Sequence, residues 1–104
     1  MNTVELINTL RNRTAMYIGK HSIFCFRAFI NGWHFRNTEE DVNIEVLNDF
    51  CLWLQKYYNI DDNRSWDELL FLTFKNEKDA LDNFFILFDK FIACSDENSK
   101  TDYS

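Results

Sequence analysis

Residues Asn76–Cys94 read N-E-K-D-A-L-D-N-F-F-I-L-F-D-K-F-I-A-C, and this stretch decides the fold. Ala80, Phe84, Leu87, Phe88 and Phe91 recur at three- and four-residue intervals, which is the period of a helix face and not of a strand. Asn76 stands where an N-cap belongs. A stripe so rich in Phe is wide, so this helix, expected over Glu77 to about Cys94, should be central.

Working toward the N-terminus, the same period recurs. Ser65-Trp66-Asp67-Glu68 has the spacing of a capping box, with Ser65 reaching the N3 amide and Glu68 reaching back. It opens a short apolar helix ending near Phe74. Before it, Ile44, Leu47, Cys51 and Leu54 form a stripe, extended by Phe50 and Tyr58, that predicts a helix over about Val42–Asn59. Ser22 caps another, Ile23 to about Phe35, whose core side carries Ile23, Phe26, Ile30 and Trp33, widened by Phe29. Gly32 inside that pattern costs about 1 kcal/mol relative to Ala, and such a glycine often lets another backbone come close. The first helix, Thr3 to about Arg13, has Thr3 as its expected N-cap and Val4, Ile7 and Leu10, with Leu6, on its apolar stripe. Thr14–His21 breaks the period and reads as a loop.

The punctuation agrees. The chain has 104 residues, no Pro, and glycine only at Gly19 and Gly32, whereas hairpins and phosphate-cradling loops draw on Gly and Pro turns. The expected fold is all-α, a single bundle of about five helices with short connections and mostly antiparallel neighbours. Residues 1–94 form the domain, and the polar, aperiodic residues 95–104 read as a disordered tail. Eleven Phe, three Trp and four Tyr make the chain 17% aromatic, ample material for a core without disulfide or metal.

Charge narrows the function classes. Eleven Lys and Arg against seventeen Asp and Glu leave a net charge of −6. That balance repels phosphate backbones and anionic lipid, and favours a basic protein partner whose encounter it would steer. Cys25, Cys51 and Cys94 are odd in number and far apart, which argues for free thiols in a reducing cytosol. The N-terminus lacks the apolar core of a signal peptide, and no apolar run has the length of a membrane span. The expected location is the cytoplasm.

Chemistry finds little purchase. His21, His34 and the cysteines lack zinc-ligand spacing, so no metal or other cofactor is expected. Glu39-Glu40-Asp41, Asp61-Asp62 and Asp67-Glu68 fall in connections or first helical turns, where solvation and capping account for them. The reading is of a binding protein and not an enzyme. Leu10–Gly19 (L-R-N-R-T-A-M-Y-I-G) resembles the R-K-R-P-G-M-Y-I-G segment of gyrase-type ATPase domains. Thr14-Ala15 replaces its Pro-Gly and no Asp-x-Gly-x-Gly loop follows, so the segment reads as an apolar plug closed by a glycine turn.

A longer pattern runs from Met16-Tyr17-Ile18-Gly19 through Phe29-Ile30-Asn31-Gly32-Trp33 and Ser65-Trp66-Asp67-Glu68-Leu69 to Phe84-Phe85-Ile86-Leu87-Phe88. As a whole it resembles small all-helical immunity proteins encoded beside bacterial polymorphic toxins, including those of contact-dependent growth inhibition systems. The resemblance implies a cytosolic antidote that binds a cognate toxin domain, often a nuclease (RNase or DNase), and blocks its active site.

Because such toxins carry basic clefts, the expected contact residues are aromatic anchors among carboxylates: Tyr17, Trp53 and Tyr57 with Asp49, Asp61, Asp62, Asp67 and Glu68. Trp66 is better read as core. In an up-and-down bundle Tyr17, Lys20 and His21 would lie near Asp61 and Asp62. A monomer is expected. The alternative is an acidic adaptor, or a nucleic-acid mimic, that binds a basic host protein. A small enzyme would instead need a concave pocket holding a buried titratable group.

Overall fold

The structure, a computed structural model, describes the backbone of residues 2–39, 42–61 and 63–102, and their side chains except those of Ala15 and 95–102. The described residues form six helices and no strand: α1 (Thr3–Asn12), α2 (Thr14–Ile18), α3 (Ile23–Arg36), α4 (Val46–Tyr57), α5 (Trp66–Phe74) and α6 (Glu77–Asp102). The all-α bundle expected from periodicity is what forms. The extra helix is α2, in the stretch read as a loop.

Helix α6 is central, packing against α3, α4 and α5. The middle of the core is a ring cluster. Phe84 lies 4.9 Å from Phe26, 5.3 Å from Phe50 and 5.5 Å from Phe88, measured between centroids. All four rings are excluded from solvent, and their offset and edge-to-face contacts are the arrangements aromatic quadrupoles prefer. Leu6, Ile7 and Leu10 of α1 and Leu69 and Leu70 of α5 complete it.

Helix ends explain most differences from the sequence reading. Asn2, not Thr3, caps α1: Asn2 Oδ1 accepts from the Glu5 amide at 2.8 Å and Glu5 Oε1 accepts from the Asn2 amide at 3.2 Å, a complete capping box. Thr3 is buried, and its hydroxyl donates to the Val42 carbonyl. Asn43 has φ 59°, a left-handed conformation that a continuous α-helix excludes, so α4 starts at Val46 instead of Val42. Ile44, expected in the core, is consequently exposed.

The far end of α4 closes in a Schellman motif. Asn59 has φ 53°, the Ile60 amide reaches the Gln55 carbonyl at 2.8 Å, and the Asn59 amide reaches Lys56 at 3.2 Å. Lys75, at φ 66°, ends α5 in the same left-handed region. With two glycines in the chain, Asn and Lys take the positions glycine usually fills.

Ser22 caps α3 through the Phe24 amide, and Asn76 caps α6 through the Asp79 amide at 2.7 Å, both as expected. The α6 backbone then stays helical to Asp102, through most of the segment read as a tail; Tyr103 and Ser104 lie outside the described residues. Among the described residues no helix is long and apolar enough to cross a membrane.

Candidate functional site

The fourth helix carries the residues of interest in a row. Glu45, Asp49, Trp53 and Tyr57 follow one another at i, i+4, and each such step turns about 40° around a helix axis. Val46, Leu47, Phe50 and Leu54 face the core, so the row starts in solvent at Glu45 and ends at the core edge at Tyr57. Asp49 is exposed, Trp53 half-buried, and Tyr57 49% exposed. Three of the residues singled out from sequence therefore share one strip of surface.

The aromatic half of the row continues the core outward. Trp53 stacks on Phe50 with centroids 6.0 Å apart and planes 17° apart, and on Tyr57 at 4.9 Å and 26°. Phe91 braces Trp53 from α6 at 5.9 Å. Lys90, also of α6, places its ammonium 5.7 Å from the Tyr57 ring centroid and 3.3 Å from the phenol oxygen. Lys90 and Glu45 were not singled out from sequence. Nothing local marks Lys90, because its role depends on how α6 crosses α4.

The other expected contact residues are dispersed. Asp61 is exposed in the connection after α4, and Asp62 lies outside the described residues. Tyr17 is partly exposed, its ring 6.5 Å from Phe29. The plug expected around it is open, since Met16 is 72% exposed. Lys20 and His21 find acids on α6: Lys20 Nζ is 3.6 Å from Glu77 and His21 Nε2 is 2.7 Å from Asp82.

Glu68 is exposed, whereas Asp67, one residue before it, is buried. Arg27 donates to both Asp67 Oδ1 and Ser65 Oγ at 2.7 Å, and Ser65 Oγ donates to Asp67 Oδ1 at 2.5 Å. This inward network replaces the expected capping box, for Ser65 makes no side-chain cap to the helix. Trp66 is buried against Phe84, in line with its reading as core.

The charges fall into two populations. Arg11 is bidentate to Asp89 at 2.7 and 2.9 Å, Arg27 is held by Asp67, Lys20 by Glu77 and Lys78 by Asp82. Asp49, Asp61 and Glu68 make no ion pair among the described residues. The pairs take up Arg11, Lys20, Arg27 and Lys78, while Asp49, Asp61 and Glu68 face solvent.

A cavity of about 180 Å³ opens between α3, α4 and α5, lined in part by Arg27, His34, Cys51 and Trp66. Burial pushes the Cys51 thiol pKa up, Asp67 adds to that and Arg27 opposes it, so the thiol is a poor nucleophile. His34 Nε2 is 2.8 Å from Thr3 Oγ1. Since that hydroxyl gives its only proton to Val42, the histidine Nε2–H is the donor. Burial lowers the His34 pKa. Among the described residues no group of three His, Cys, Asp or Glu is placed to hold a metal ion.

No protein-family model matches the chain, and no match was found among curated proteins or solved structures.

Proposed function

We propose that this chain is an immunity protein: it binds a toxin domain with a basic active-site surface, a nuclease by preference, and neutralises it by occlusion. The observation that carries the reading is the α4 row, where Asp49, without an ion pair among the described residues, stands one turn before Trp53 and two turns before Tyr57, whose rings stack on each other. Interfaces concentrate their energy in buried aromatic anchors, and peripheral charge of opposite sign steers the encounter. A nuclease cleft must be basic to hold phosphate, so an acidic face with partly exposed rings competes for the same surface. The net charge of −6 acts in the same direction over longer range. The resemblance to helical immunity proteins points to the same function, and cytoplasmic action as a monomer belongs to the proposal.

The test is co-purification of the tagged chain with the C-terminal domain encoded by the adjacent upstream reading frame, at low and moderate salt. The expected result is a stable one-to-one complex that lacks the toxic activity of the free domain. No complex at either salt would contradict the proposal and leave the acidic adaptor as the reading to pursue.

A further inference from the structure

Helix α3 is apolar on its solvent side as well as on its core side. Ile23, Phe26 and Ile30 face the core, and of the other residues only Arg27, Asn31, His34 and Arg36 are polar. Phe35 is 87% exposed and Phe24 37%. A solvent-facing helix surface ordinarily carries charge, and a helix apolar on both sides is built to be covered.

That side has a shape as well as a composition. Ala28 and Gly32 lie one turn apart in a row, between the row of Phe29 and Trp33 and the row of Asn31 and Phe35. An open groove of about 280 Å³ follows the low row, lined by Ala28, Phe29, Gly32, Trp33 and Arg36. Its aromatic wall is braced, since Phe29 and Trp33 pack against the core and the Tyr17 ring lies 6.5 Å from Phe29. A Cβ at Gly32 would meet nothing within 4 Å, so the floor has room for a side chain from outside. The local charge opposes that of the chain. α3 carries no acid, and Arg36 is exposed with no ion pair among the described residues. At a net charge of −6 the chain as a whole repels an acidic partner, and Arg36 offers such a partner a counter-charge beside apolar surface.

We infer that the α3 groove docks an amphipathic helix of a second protein, one that lays a large apolar side chain over Gly32 and brings a carboxylate to Arg36. Rows of residues four apart would interdigitate on the two helices, which sets a crossing angle of about −50°. A second copy of the chain meeting this face through its own α3 fits less well, because it brings another Arg36 and no carboxylate. An anionic lipid surface would be repelled by the charge of the whole chain. The groove shares no residue with the α4 row, so the inference is independent of the immunity reading and can fail or hold without it.

The probes are two helix-stapled peptides of equal length, each with a leucine stripe, one flanked by Glu and the other by Lys. Each is titrated into the whole chain at about 0.15 M salt, where long-range attraction is screened beyond about 8 Å. Affinity is read from the Gly32 amide and Trp33 indole N–H resonances. The Glu peptide should bind about two- to five-fold more tightly, the fold-change of an exposed ion pair, against the order that net charge sets. Arg36→Glu should reverse the preference. Gly32→Leu puts a side chain into the groove where the chain leaves space, and should abolish the Trp33 shift while a thermal melt shows the variant folded. Tighter binding of the Lys peptide at these resonances, or a Trp33 shift that survives Gly32→Leu, would overturn the inference. So would the same shifts on adding phosphatidylglycerol vesicles, or sedimentation that finds the free chain paired and Gly32→Leu monomeric, since lipid or a second copy would then be the occupant.

Discussion

Arg27 of α3 and Asp67 of α5 are joined by a 2.7 Å hydrogen-bonded ion pair whose acid is nearly enclosed, with 6% of its side chain exposed, while the arginine keeps 35%. The pair ties the first turn of α5 to the middle of α3 and takes Ser65 into the same network.

Removing one member leaves the other poorly solvated. Asp67→Ala should destabilise the domain by about 1–2 kcal/mol, the low end for a charged hydrogen bond because Arg27 can turn to water. Denaturant unfolding measures it. A silent substitution would mean that Ser65 alone satisfies Arg27.

Phe84 and Phe88 carry a larger share of stability, since they stack in the centre of the ring cluster. Either residue changed to Ala should cost about 3–5 kcal/mol. A loss below 1 kcal/mol in denaturant melts would show that α6 is not the core helix.

Two glycine exchanges should act in the same direction. A Cβ at Gly32 would meet nothing within 4 Å, so the close backbone approach anticipated there does not occur within the chain. Gly32→Ala should therefore stabilise by about 0.5–1 kcal/mol. Lys75 at φ 66° is the converse case, and Lys75→Gly should also stabilise by up to about 1 kcal/mol. A thermal melt with lower midpoints for both would refute these backbone assignments.

His34 makes stability depend on pH. Burial lowers its pKa in the folded chain, while the unfolded chain keeps an ordinary value of about 6.5. Between those values the unfolded state binds more protons, so acidification favours unfolding. The contribution is full above about 6.5 and declines as pH falls toward the folded value. His34→Gln should flatten this part of the stability profile. A native profile that rises on acidification through the window would contradict the assignment.

The parts of the fold legible in the sequence were those set by local periodicity and local caps. The stripes of α1, α3 and α6 and the caps Ser22 and Asn76 need only nearby residues. What escaped depends on contacts between distant residues or on backbone conformation. The Ser65 hydroxyl turns from its helix because Arg27 and Asp67 claim it, and Asn43 stops α4 short because its φ is positive. The site divides the same way. Asp49, Trp53 and Tyr57 could be found as acid and aromatic residues on one helix. The burial of Asp67 and the placement of Lys90 over Tyr57 required the packing of α3 against α5 and of α4 against α6.

The proposed function is neutralisation of a toxin by stoichiometric binding. The most direct measurement is titration of the chain into a fixed amount of the proposed toxin, the C-terminal domain encoded by the adjacent upstream reading frame, while its activity is followed. Activity should fall linearly and vanish at one equivalent, and Asp49→Lys with Tyr57→Ala should shift that end point to higher protein under conditions where a melt shows the variant folded. Undiminished activity at excess protein, or complete loss at a small fraction of one equivalent, would contradict the account.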